Sequence, residues 1–159
     1  MIRIGAVALA FGLAACGSSG PATHFRATMN AANEPGSVTS NGTGTADYTV
    51  DGGTVSYTVT FSGLVANANN AHIHVGPAGV NGNVTVPFTA LVPHATFGTF
   101  SGSFTAADVL AATTPDGGIS VAAGDFNGLL TLMRAGNTYT NIHSTTYTGG
   151  EIRGQNQPQ

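Results

Sequence analysis

"ADYTVDGGTVSYTVTFSGL", residues 46–64, alternates apolar and hydroxyl side chains on either side of a short break. Tyr48 and Val50 precede the break, and Val55, Tyr57, Val59 and Phe61 follow it, with Thr54, Ser56, Thr58 and Thr60 on the opposite parity. Period two with one polar face is the signature of a half-buried strand. The break itself, Asp51-Gly52-Gly53, is a hairpin signal, because glycine takes the positive φ that tight turns between antiparallel strands require. The stretch therefore reads as two paired strands. The same alternation recurs upstream in Phe25, Ala27, Met29 and Ala31, and downstream in "VTVPFTAL" (84–91) and "TFGTFSGSF" (96–104), where Pro87 suits an edge or a bulge.

Two segments break the alternation. "TAADVLAAT" (105–113) has Thr105 and Asp108 at capping-box spacing ahead of Val109 and Leu110. "DFNGLLTLMRAG" (125–136) opens on a capping Asp125, puts Phe126, Leu129, Leu130 and Met133 on one stripe and ends at Gly136. Both read as short helices, the second with a core-facing stripe. "TYTNIHS" and "GEIRGQ" supply two last strands. The pattern as a whole predicts an all-β sandwich or partly open barrel of about seven or eight strands with helical crossings in its second half.

The composition agrees. The chain has 159 residues, 42% hydrophobic and 7% charged, with 23 glycines and no lysine. That is enough for one core and suits a turn-rich β protein. A formal charge of −3 with no basic cluster excludes a phosphate-backbone partner, so nucleic acid is not expected. "MIRIGAVALAFGLAAC" (1–16) has Arg3, an apolar run and small residues ahead of the single cysteine. This is the layout of a secretory signal and is too short to span a bilayer, which takes about 20 apolar residues. "LAAC" resembles the bacterial lipobox, which implies that residues 1–15 are removed, that Cys16 is lipidated and that residues 16–23 form a flexible tether. Gly17 after the cysteine resembles lipoproteins passed on to an outer membrane. The expected location is extracytoplasmic, on a bacterial membrane, with the folded domain over residues 24–157 and no cysteine left for a disulfide.

Parity also sorts the ionisable side chains. In "AHIHV", Ala71, Ile73 and Val75 share one face and His72 and His74 the other. Ile142 likewise opposes Asn141 and His143, and Ile152 opposes Glu151 and Arg153. If the isoleucines point into the core, five ionisable side chains on three strands point outward, and neighbouring strands would gather them into one polar patch. Two histidines at i and i+2 plus a third from an adjacent strand make the three-ligand set of open zinc or copper sites. Glu151 could ligate or orient an imidazole, and Arg153 could pair with Glu151 or hold an anion. The plainer alternative is a wet strand surface whose histidines bind nothing and whose Glu151 and Arg153 pair. His24, at the tether boundary, and His94, after Pro93, read as solvated. "GPAGVNGN" (76–83) reads as consecutive turns, since no Lys follows it as a phosphate loop would need. No catalytic nucleophile arrangement stands out.

At these residues the chain resembles the CHRD domain, the family named after chordin. The resemblance rests on "AHIHVGPAGVNG" (71–82), "YTNIHS" (139–144) and "GEIRGQ" (150–155), with "GTGTADYTV" and "VSYTVTFSGL" matching earlier strands, and it runs from Phe25 to Gln155. "NEPGS" (33–37) only approximates the family's Glu-Val-Pro-Pro stretch, and Ser144 stands where Thr is common. The resemblance implies an all-β, immunoglobulin-like antiparallel domain of the kind found in chordin and in bacterial exported proteins, and it makes His72, His74, His143, Glu151 and Arg153 motif positions. It implies no growth-factor antagonism, because chordin's cysteine-rich binding modules are absent. The expectation is a lipid-anchored, non-enzymatic binding module whose patch takes a transition metal, copper or zinc, or another polar ligand, with the membrane and an envelope protein as its partners. The alternatives are a copper oxidoreductase and a structural or adhesive domain. Histidines are too few for a dinuclear superoxide dismutase site.

Overall fold

The computed structural model describes residues 20–88 and 91–159. The expected signal segment 1–15, Cys16 and the first residues of the tether lie outside them. The strands are β1 (His24–Asn30), β2 (Thr43–Asp51), β3 (Thr54–Ser62), β4 (Ala68–Val75), β5 (Val84–Pro87), β6 (Gly98–Thr105), β7 (Ala112–Thr113), β8 (Ser120–Val121), β9 (Thr138–Ser144), β10 (Ile152–Gln155) and β11 (Gln157–Pro158), with one helix, α1 (Phe126–Arg134), between β8 and β9. Nine strands form one antiparallel sheet in the order β5-β4-β9-β10-β1-β2-β3-β6, with β11 also paired to β1, while β7 and β8 pair separately.

The quoted hairpin is β2–β3. Asp51 opposes Thr54 across the two-residue turn, and Gly52 takes φ 55°. Val55, Tyr57, Val59 and Phe61 are buried and the intervening hydroxyl residues face out. Phe25, Ala27 and Met29 of β1 fill the same interior. The sheet curls until its ends approach. Phe88, just past β5 at one end of the strand order, lies 4.4 Å from the Tyr57 ring near the other end. Tyr48 Oη on β2 meets Thr140 Oγ1 on β9 at 2.6 Å across the interior. Of the sandwich and the partly open barrel, the fold is the nearly closed barrel.

α1 forms where its stripe predicts it. Asp125 caps it by accepting from Gly128 N at 2.8 Å, and Phe126, Leu129, Leu130 and Met133 are buried. The other expected helix is only a single 3-10 turn over Ala106–Asp108. Its Thr105/Asp108 capping box is present, but Val109 turns extended and leads into β7. A cap starts a helix without lengthening it, and burying Val109 and Ala112 in the core wins here. Among the described residues no helix is long and apolar enough to cross a membrane.

A hydrogen-bonded chain of hydroxyls and an amide runs inside the core beside β9. Thr140 Oγ1 donates to Asn156 Oδ1 at 2.7 Å, and Asn156 Nδ2 donates to Thr138 Oγ1 at 3.0 Å. Tyr48, Thr138, Thr140 and Asn156 are all buried. Every residue of β9 is buried, so this strand is covered on both faces.

Candidate metal centre

The isoleucines point inward as parity predicts. Ile73, Ile142 and Ile152 are 0% exposed and belong to the core. β4, β9 and β10 are also neighbours, with His72 opposite Asn141, His74 opposite Tyr139, and Arg153 opposite Asn141. The polar side chains on their other face therefore do gather.

They are not solvent-facing. His74 is 9% exposed, His143 8% and Arg153 1%, and only His72 keeps partial exposure. Loop segments roof this face. Gly82 O accepts from His74 Nδ1 at 2.9 Å, and Thr148 O accepts from His143 Nδ1 at 2.8 Å. Arg153 donates to Pro77 O and Val80 O at 2.9 Å and to Asn81 Oδ1 at 3.1 Å. From the other side Asn33 Nδ2 donates to Arg153 O at 2.8 Å. Strand parity carries no information about what the connecting loops cover, and that is why the sequence reads this face as wet.

His72, His74 and His143 each offer a ligand nitrogen, and these atoms lie within 4.8 Å of one another. A carbonyl oxygen only accepts, so Gly82 and Thr148 hold the ring protons of His74 and His143 on Nδ1 and leave each Nε2 with its lone pair. Metal-binding histidines are commonly oriented in this way. His74 Nε2 is buried and makes no hydrogen bond. His72 Nδ1 is 3.2 Å from His143 Nε2. Tetrahedral zinc with Zn–N bonds of 2.0–2.1 Å needs nitrogens about 3.3 Å apart. The His72–His143 pair already has that spacing, and the rest of the set would close by up to roughly 1.5 Å around an ion.

The electrostatics favour neutral rings. Burial, reinforced by His143 and His74, holds the His72 pKa down to about 4. Burial also takes His74 to about 4, with the Gly82 carbonyl opposing and His143 and Arg153 assisting. His143 is lowered by burial against the pull of Thr148 O. A neutral imidazole is the form that ligates.

Glu151 stands apart from this cluster. Its Oε1 accepts from Ser40 Oγ at 2.6 Å and from Val65 N at 2.7 Å, and Oε2 is buried without a hydrogen bond. The carboxylate clasps two connecting segments, so the expected contact with an imidazole is not made. Nor does it pair with Arg153, since the one ion pair among the described residues is Arg26–Asp47. Arg153 lies over the Tyr139 ring instead, 3.3 Å from its centroid, and the other ring contact of Tyr139 is His74, stacked at 4.8 Å and 8°. Asn141 is buried, with Oδ1 3.1 Å from His143 Nε2. His24 and His94 are exposed and lie outside the cluster.

Sequence reasoning missed two members of the site. Tyr139 shares the parity of Asn141 and His143 in "YTNIHS" and was findable on that ground. Glu34 follows a 3-10 turn, where parity says nothing; its only signal was the approximate family stretch "NEPGS". Burial raises its pKa to about 7, with Arg153 and Asn141 opposing.

No curated protein and no solved structure matches the chain. The CHRD domain family matches residues 25–156, a span that takes in the barrel, the roofing loops and every histidine of the cluster. With that match over most of its length, the chain belongs to the CHRD-domain family.

Proposed function

We propose that this protein is an extracytoplasmic CHRD binding module, anchored by a lipid on Cys16, that holds a transition-metal ion, zinc or copper, at His72, His74 and His143. The CHRD domain is an extracellular-type binding or structural module, and the histidine cluster is what would give this one its ligand. The observation that carries the reading is the state of the three rings. They converge in a largely buried cluster, and backbone carbonyls commit the Nδ1 protons of two of them, which leaves the Nε2 lone pairs of those two free to ligate.

Calorimetric titration of the purified domain with Zn(II) and Cu(II) tests this. One ion per chain is expected, with strong loss in His72→Ala, His74→Ala and His143→Ala and no change in His24→Ala or His94→Ala. Because two of the rings are held near pKa 4, protons compete only at acid pH. Binding should persist to about pH 5, where ordinary imidazoles are already charged. No stoichiometric binding, or binding indifferent to which histidine is removed, would refute the proposal.

A further inference from the structure

Resting on the three-histidine reading, we infer that Asn141 Oδ1 is a fourth donor, held toward the ion by Glu34, so that the site is a closed set of three imidazole nitrogens and one amide oxygen selective for a divalent ion over Cu(I). The argument begins with counting protons. A neutral imidazole has one N–H. His143 gives its own to Thr148 O at 2.8 Å, a partner that can only accept. His143 Nε2 is then a bare lone pair, and 3.1 Å from it stands Asn141 Oδ1, another acceptor. Two acceptors at that distance repel unless a metal cation or a second ring proton lies between them, and 3.1 Å is close to the spacing of two ligands on one zinc ion.

Turning the amide over would not remove the conflict. Asn141 Nδ2 stands with Glu34 Oε1 against the bare face of Gly150, where a Cβ would come within 2.9 Å and 2.5 Å of them. Glu34 Oε1 is buried with no hydrogen bond of its own, and the Asn141 amide beside it draws the Glu34 pKa down, as a group turned N–H first toward the carboxylate does. A reversed amide would aim Oδ1 at the carboxylate. An amide orientation is assigned from its neighbours, and here the Glu34 carboxylate beside Nδ2 favours the one that turns Oδ1 toward His143 Nε2. Glu34 is thus a positioning residue.

The donor set decides the class of ion. Three imidazoles and an amide oxygen include no thiolate or thioether, and oxygen donors suit Zn(II) and Cu(II) while Cu(I) prefers soft ligands. Four protein donors also fill a tetrahedral shell, the arrangement of ions that are retained.

The test compares Zn(II) with Cu(I) on the purified domain, using competition with chromophoric chelators, and records the visible spectrum of the Co(II)-loaded protein. Asn141→Ala should weaken Zn(II) binding at least tenfold, leave Cu(I) binding unchanged and alter the Co(II) spectrum away from four-coordination. Glu34→Ala, in a loop, should give a smaller loss with the same selectivity. Equal loss of both ions in Asn141→Ala would make Asn141 a structural residue and overturn the inference. Unchanged Zn(II) binding would also overturn it, leaving the histidine site intact so long as the histidine variants still abolish binding. Absence of binding in the wild type would sink both. Should Asn141→Ala fail to fold, Asn141→Asp replaces it. A carboxylate oxygen in the same place should tighten Zn(II) without affecting Cu(I), and tightening of both or of neither refutes the assignment.

Discussion

Arg153→Leu removes the most deeply buried cation among the described residues. The guanidinium is 1% exposed and has no carboxylate within ion-pair distance. Its donors go to Pro77 O, Val80 O, Asn81 Oδ1 and Gln155 Oε1, and its plane covers Tyr139. Hydrogen bonds to a charged group contribute about 1.5–3 kcal/mol each, and a desolvated cation–π contact about 2 kcal/mol. Against them stands the cost of burying the cation, several kcal/mol. Three of the four hydrogen bonds reach one loop, 76–83, whose polar groups water can reclaim once the loop lifts, so the loss is less than the sum of the bonds. A net destabilisation of about 2–4 kcal/mol follows, concentrated in that loop. Urea denaturation measures the global term. Hydrogen exchange measures the local one, through Val75 N and Val80 N, which bond to Asn83 O and Pro77 O. A variant as stable as wild type, with unchanged exchange at those two amides, would mean that burying the charge costs as much as its contacts return.

Ile73→Ala, Ile142→Ala and Ile152→Ala should each lower stability by about 2–5 kcal/mol, because each side chain is fully buried, while His72→Ala costs far less; the opposite ranking in denaturant titrations would refute the inward placement. Glu34 gives a pH dependence of defined sign. Its folded pKa, about 7, lies above the ordinary 4.5, so the native state binds the extra proton and stability falls as pH rises from 4.5 to 7. Partial exposure screens the effect to an order of 1–2 kcal/mol, and Glu34→Gln should flatten that slope in melts across the range. Cells fed a fatty-acid analogue should label the wild type and not Cys16→Ser; equal labelling would exclude the lipid anchor.

The residues differ in how far sequence alone could place them. The β2–β3 hairpin was readable because Gly52-Gly53 and strict alternation are local signals. The inward isoleucines followed from parity for the same reason. Burial of the histidines was not readable, since it depends on Gly82 and Thr148 folding back over β4 and β9, a tertiary event with no period. Glu151 misled for a related reason: it precedes β10, where alternation has not yet begun, and its side chain turns to Ser40 and Val65. The 105–113 segment misleads because its cap fixes where a helix starts and carries no information on the strand that follows.

The hydroxyl chain inside the barrel bears on how β9 finds its alignment. Thr138, Thr140, Ile142 and Ser144 share one face and Tyr139, Asn141 and His143 the other, so hydrophobic alternation along this strand is weak. Sliding β9 by two residues would preserve which face each side chain occupies, and burial alone would scarcely penalise it. The polar contacts discriminate sharply. Asn156 spends its two amide atoms on Thr138 and Thr140, and Tyr48 reaches the same Thr140 from the far wall. A slip of two residues would put Ile142 in the place of Thr140, or Gly136 in the place of Thr138, and leave one or two buried polar groups without partners, at a cost of about 1–3 kcal/mol apiece. These four side chains therefore work as a key cut for one position of the lock, and the histidines on the strand's opposite face inherit their alignment from it.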